Sequence, residues 1–348
     1  MRYERLLERL VPSTLPYDMF DGEHTEREAQ RARKLESIYH LGQERIWDGR
    51  EVLRDLLAKH GTDNLEPQHR KALGRIFSII MWGELAAWKI SAQLADELVP
   101  LEAKMAAASQ VHDEARHFYV MHDYLKAIGH TPGPMDPASR RVVEITLGTK
   151  SLVKKLLGMQ LTIETIALTL FAQVRAMNVD PVLTELLVYY ERDEARHVGL
   201  GIQLVPELLS KLSPLEQAGV LAFEVDLLGS SMMSLKAMEP DLASVGVSPR
   251  DILTLGFRKH REIYETIREE FTDAPGTPPG EHILNVLTEL LFPIEGREVH
   301  VPARLRVRRA IGTLTGSHVP LGTSANTVSR HKPKPKRDGA RRASPDAR

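Results

Sequence analysis

Five residues that occur twice decide the fold: Asp113-Glu114-Ala115-Arg116-His117 and, 80 positions later, Asp193-Glu194-Ala195-Arg196-His197. Glu84 stands against Glu164 at the same offset, and Ala92-Gln93 against Ala172-Gln173, so the repeated unit is longer than the pentapeptide. In each copy the lone Glu precedes the Glu of Glu-x-x-His by 30 positions. The midpoints fall at Val99-Pro100 and Val179-Asp180-Pro181, where Pro interrupts one helix and Asp can cap the next. A chain that climbs about 15 residues, roughly 22 Å, and descends as far returns each Glu to the level of its Glu-x-x-His. The three-residue step of that motif puts both side chains on one helix face. Each copy therefore reads as a helical hairpin, and the two together as a four-helix bundle over 68–210.

The interior of such a bundle would hold Glu84, Glu114, His117, Glu164, Glu194 and His197 at one level. Four buried carboxylates without counter-charge are untenable, and two divalent cations would balance them. Oxygen-rich ligation with one imidazole per metal favours iron or manganese over zinc or copper. One Glu from each of two helices and a Glu-x-x-His from each of the others is the ligand pattern of di-iron and di-manganese carboxylate bundles. Glu164 sits in an apolar run, Leu161-Thr162-Ile163-Glu164-Thr165-Ile166-Ala167-Leu168, and needs a partner there. Asp113 and Asp193 are placed to accept the second ring N–H of a ligating His, with Arg116 and Arg196 balancing their charge.

These residues resemble the signature of the ferritin-like superfamily of di-iron carboxylate proteins, over roughly residues 68–210. Their order is most similar to the oxygen-activating branch: multicomponent monooxygenases, reductase small-subunit-like proteins, acyl-carrier desaturases and arylamine N-oxygenases. The resemblance implies an all-α, ferritin-like four-helix bundle with flanking helices. It implies a dioxygen-dependent oxidase or oxygenase that hydroxylates, desaturates or N-oxygenates a small or carrier-bound substrate. Two iron ions are the implied cofactor, with manganese or a mixed pair as the alternative. The family pattern is broken at three places: Met121 stands where reductases carry a radical Tyr, Tyr190 where N-oxygenases carry a further His, and Leu168 where monooxygenases carry a Thr. A ferroxidase or iron store would need the same ligands and no organic pocket.

Trp88 lies one turn after Glu84 and Gln110 one turn before Glu114; Leu168 and Tyr190 hold the comparable places in the second copy. Core packing is the plainer reading of these four, and walls of a pocket beside the metals the functional one. Tyr119 and Tyr189 read as packing residues, Trp47 as a core Trp with electron transfer as its alternative role, and His260 as a surface residue. Glu66-Pro67-Gln68-His69 is a third Glu-x-x-His without a repeat partner and reads as a helix start.

The 348 residues carry 46 Lys+Arg against 47 Asp+Glu, a net charge of −1 that speaks against a general nucleic-acid binder. The absence of cysteine excludes disulfides, thiolate metal sites, Cys-ligated iron–sulfur clusters and a Cys nucleophile. Electrons must therefore come from another molecule, such as a ferredoxin or reductase, or from a non-thiolate cofactor. Met1 to Tyr17 lacks the apolar core of a secretory signal, and no run of 18 uninterrupted apolar residues appears, so no membrane span and a cytoplasmic location are expected. The divisions expected are an N-terminal segment and flanking helix (1–67), the bundle (68–210), helices packing on it or forming a homodimer surface (211–313), and a basic tail (314–348). One long helix is expected over 24–60, stopped near Gly61, and further helices over 214–240, 249–272 and 281–292. The last 19 residues hold eight Lys/Arg and two Asp, so this +6 end leaves −7 on the remainder; such a composition favours disorder.

Overall fold

Proline and aspartate set where the helices begin. The computed structural model describes residues 22–62, 65–270, 281–293 and 301–318. Its helices are α1 (Gly22–Glu44), α2 (Gly49–His60), α3 (Pro67–Glu97), α4 (Leu101–Ala127), α5 (Pro137–Gly148), α6 (Leu152–Met177), α7 (Pro181–Ser210), α8 (Pro214–Ser244), α9 (Pro249–Glu270), α10 (Glu281–Leu291) and α11 (Ala303–Leu314). No strand occurs among the described residues. Helices α3, α5, α7 and α8 carry Pro in their first turn, where the missing N–H costs nothing.

Helices α3/α4 and α6/α7 are the two hairpins. The second turns through Asn178, whose left-handed φ of 47° ends α6. Asp180 then caps α7 by accepting the Val182 N–H at 3.0 Å. The other Asp180 oxygen accepts Tyr124 Oη at 2.6 Å, fastening this turn to α4.

One expectation about the elements needs correction. The single helix over 24–60 is two helices, because Asp48 accepts the N–H groups of Arg50 and Glu51 at 2.8 and 3.1 Å and starts α2 afresh. That break turns Trp47 into the bundle. The Gly/Pro stretch after α4 leads into a helix of its own, α5, capped by Asp136. Helix α11 was not anticipated. Residues 1–21, Asn64 and the basic end from 319 onward lie outside the described residues.

The carboxylate layer divides the core. On one side Leu73, Phe77, Met81, Tyr124, Phe171 and Leu186 pack together; on the other Ile90, Leu94, Ala107, Leu156, Met159 and Leu204 do. Helices α8 and α9 extend both clusters with Met232, Leu235 and Ile252 on the first side and Ile263 and Ile267 on the second. A two-pronged ion pair from Arg75 to Asp241 joins α3 to α8. Helices α6 and α8 are long and apolar enough by composition to cross a membrane. For α6 the reason is burial: it is a bundle helix that carries Glu164. Helix α8 buries less and leaves Leu215, Leu221 and Met233 exposed.

Candidate metal centre

The four bundle helices bring all six acidic and imidazole side chains to one buried layer. Glu84 comes from α3, Glu114 and His117 from α4, Glu164 from α6, and Glu194 and His197 from α7; the most exposed, Glu84, is at 6%. Their donor atoms form two groups, each within 4.8 Å: Glu84, Glu114, His117 and Glu194, and Glu114, Glu164, Glu194 and His197. Glu114 and Glu194 belong to both. The sequence reading puts Glu84, Glu114 and His117 on one metal and Glu164, Glu194 and His197 on the other, with some carboxylates bridging; the geometry makes the Glu of each Glu-x-x-His the shared pair. His117 Nδ1 lies 3.2 Å from Glu194 and 3.6 Å from Glu84 and Glu114. His197 Nδ1 lies 2.8 Å from Glu194, 3.2 Å from Glu114 and 3.4 Å from Glu164.

The electrostatics describe a site that wants cations. Burial pushes the Glu84 and Glu164 carboxyls well above the ordinary carboxylate range, and the Glu194 charge pushes the same way. Burial acts likewise on Glu114 and Glu194, but the adjacent His197 and His117 outweigh it and hold both below the usual range. Burial disfavours charge on the two imidazoles, yet the surrounding carboxylates raise both well above ordinary histidine. With Glu84, Glu164 and both imidazoles all pushed up, protons gather on the metal-free layer and offset its carboxylate charge. Glu114 Oε2, Glu194 Oε1 and His117 Nδ1 are buried without hydrogen-bond partners. Orphaned donor atoms facing one another, with oxygen-rich composition and −4 of potential charge, fit a pair of divalent cations.

The residues around the layer cross between the hairpins. His117 Nε2 meets Asp193 at 3.2 Å, and His197 Nε2 meets Asp113 at 3.3 Å. Each Asp thus serves the histidine of the other hairpin, leaving Nδ1 for the metal side. Arg116 reaches Asp113 and, at 2.9 Å, Asp193. Arg196 reaches both Asp193 and Asp113 at 2.9 Å. Burial raises both aspartates, but the histidine each one holds outweighs it, with Arg196 and Trp47 adding at Asp193, and both carboxyls lie below the usual range. Trp47 Nε1–H donates to Asp193 at 2.7 Å, and the Arg116 guanidinium lies 4.8 Å above its ring. The indole is thus buried against the aspartate that holds His117.

The four expected pocket residues fare differently. Gln110 Nε2 donates to Glu114 at 2.9 Å and Glu164 at 2.8 Å, joining one carboxylate from each hairpin. Tyr190 stacks on His117 at 4.2 Å between ring centroids and donates to its carbonyl at 2.6 Å. Neither lines a cavity. Trp88 leans edge-on to the exposed Tyr119, and Leu168 packs into the apolar core. The cavity instead occupies the seam between α3 and α6, on the helix face beside the ligand face. Ile80, Gly83 and Ala87 line it from α3, and Thr162, Thr165 and Thr169 from α6, next to Glu84 and Glu164. Helices α5, α8, α9 and α10 close it, and His260, expected at the surface, is part of its wall. Sequence reasoning also missed Gln160, which donates to Gln110 Oε1 at 2.8 Å; a lone Gln within the apolar run before Glu164 was its only signal.

No family model matches the chain, and no curated protein does. Two solved structures share its architecture. One is protein 19, with aldehyde deformylating oxidase activity, from Synechococcus: 17% identical, TM-score 0.51, over 59% of this chain and 93% of that one. The other is a variant of R2-like ligand-binding oxidase with an aerobically reconstituted Mn/Fe cofactor: 14% identical, TM-score 0.51, over 68% of this chain and 92% of that one. The fold is that of the ferritin-like helical bundles. At these identities the likeness is one of architecture, and the chemistry of this chain rests on its own buried layer.

Proposed function

We propose that the chain is a dioxygen-dependent di-metal oxidoreductase, with iron, or iron with manganese, held by Glu84, Glu114, His117, Glu164, Glu194 and His197, acting on an organic substrate in the cytoplasm. One observation carries this reading: Glu84 and Glu164 belong both to the metal layer and to the wall of the apolar cavity. A ferroxidase needs the layer but has no use for the cavity. When bound, the metals supply the redox chemistry with dioxygen. The chain's own residues do the rest. Glu114 and Glu194, whose donor atoms fall in both groups, would be shared by the two metals; Asp113 and Asp193 fix the histidine rings, and Gln110 ties the carboxylates of the two hairpins together. The apolar wall excludes water and seats the substrate against Glu84 and Glu164. With no cysteine to build an internal thiolate centre, electrons come from an external donor, and Trp47–Asp193–His117 is a hydrogen-bonded path leading toward the metals.

The test is to load the full-length protein with ferrous iron anaerobically, admit oxygen, follow the optical spectrum and screen acyl, aromatic and amine substrates for oxidised products. Glu164→Ala should abolish loading of two metals per chain. Two tightly held irons in that variant would contradict the ligand set, and oxygen consumption without any organic product would return the protein to iron handling.

A further inference from the structure

The cavity has a volume of about 200 Å³ and a wall of mainly aliphatic side chains, without Lys or Arg among the described residues. An apolar cavity of about 150 Å³ accommodates benzene, so this one takes on the order of eight non-hydrogen atoms. Apart from Glu84 and Glu164, its polar side chains are His260 and six hydroxyls. Five of those hydroxyls are satisfied inside the protein. Thr162 donates to the Leu157 carbonyl at 3.1 Å, Thr169 to the Thr165 carbonyl at 2.7 Å, and Ser231 to the Leu227 carbonyl at 2.8 Å. Ser139 and Ser234 bond to each other at 2.6 Å. His260 also has contacts within the protein.

Thr165 differs. It is 5% exposed, and its Oγ1 is buried with no hydrogen-bond partner. It follows the π-helical turn Leu157–Ile163, where the Glu164 N–H bonds to the Met159 carbonyl five residues back. Thr169, one turn on in regular α-helix, finds its i−4 carbonyl; Thr165 does not. An unmet buried hydroxyl is destabilising unless a ligand meets it. This one sits in the cavity wall beside Glu164.

We propose that the Thr165 hydroxyl anchors the polar end of the substrate beside the metal layer, and that the substrate is a neutral amphiphile: an apolar chain or ring carrying one uncharged oxygen function, such as an alcohol, aldehyde or ketone. The reading rests on the organic substrate proposed above and names its class. Among the described residues the wall holds no Lys or Arg for a carboxylate, and two divalent cations with the four ligand carboxylates sum to zero, so the metal layer offers net charge to neither a carboxylate nor an ammonium. Apolar surface on the remaining sides takes the hydrocarbon part.

Binding tests it without turnover. Full-length protein loaded with manganese(II) and kept anaerobic is titrated calorimetrically with heptan-1-ol, heptanoate and heptylammonium, and n-heptane is measured by competition. Heptan-1-ol should bind at least about tenfold more tightly than either charged analogue. Thr165→Val should weaken heptan-1-ol by roughly three- to tenfold and leave heptane unchanged, while Thr165→Ser keeps the wild-type affinity. Heptanoate binding as tightly as heptan-1-ol, a Val variant that binds heptan-1-ol like wild type, or no binding of any of the four overturns the proposal. If the Val variant fails to fold, Thr165→Ala read against Thr165→Ser carries the same comparison. A protein that binds heptan-1-ol through Thr165 but never consumes oxygen would remove the oxidase reading and leave this one; the reverse pattern would do the opposite.

Discussion

Loading two divalent cations at neutral pH should expel about four protons from the protein. Two leave Glu84 and Glu164, which burial holds protonated, and two leave His117 and His197, which the carboxylates hold charged. The affinity for each metal should then rise by up to about two powers of ten per pH unit, roughly 2.7 kcal/mol at 1.36 kcal/mol per proton, while these groups remain protonated. Stability of the metal-free protein follows the same sign. All four groups have raised folded pKa values, so their contribution is present at low pH and is lost as pH rises through those values. The loaded protein lacks that loss, and its advantage in melting temperature should widen from pH 6 to pH 8. The assay is anaerobic calorimetric titration with manganese(II) in two buffers of different ionisation enthalpy, which counts protons directly. Release of fewer than about two protons per metal pair would mean that protons do not neutralise the layer, and the electrostatic reasoning would fail.

Three further outcomes follow from particular contacts. Gln110→Leu removes both amide hydrogen bonds to Glu114 and Glu164 and should weaken manganese(II) binding by about ten- to a hundredfold, read by titration; unchanged affinity would reduce Gln110 to packing. Burial raises Glu224 to about 7, so this carboxyl is stabilising when protonated and contributes a loss of roughly 3 kcal/mol as pH climbs from about 4.5 past 7; Glu224→Gln should gain on wild type in chemical denaturation between pH 5 and pH 8, and parallel curves would count against it. Trp47→Phe deletes the donor to Asp193 and should slow reduction of the metals by a protein donor while leaving reduction by a small chemical reductant unaltered; equal slowing of both, followed by stopped-flow absorbance, would point to a distorted centre instead.

The metal layer was legible in the sequence because helical hairpins are local objects. An 80-residue repeat, a 30-residue return and a three-residue step each translate into position through the constant rise and turn of a helix, and they sufficed to gather Glu84, Glu114, His117, Glu164, Glu194 and His197. The pairing of Asp113 and Asp193 with ligating histidines was legible too, but that each serves the histidine of the other hairpin was decided by packing. The cavity did not follow: Trp88, Gln110, Leu168 and Tyr190, whose plainer reading was core packing, are not among the residues that line it. Its boundary is made by helices α5, α8, α9 and α10, which have no counterpart in the repeat, and by whichever faces of α3 and α6 those helices leave uncovered. The division of Glu114 and Glu194 between both donor groups, the turning inward of Trp47 and the unmet hydroxyl of Thr165 are of the same kind. They depend on how far apart packed elements come to rest and on one π-helical turn, and no spacing along the chain encodes a distance between elements that meet only after folding.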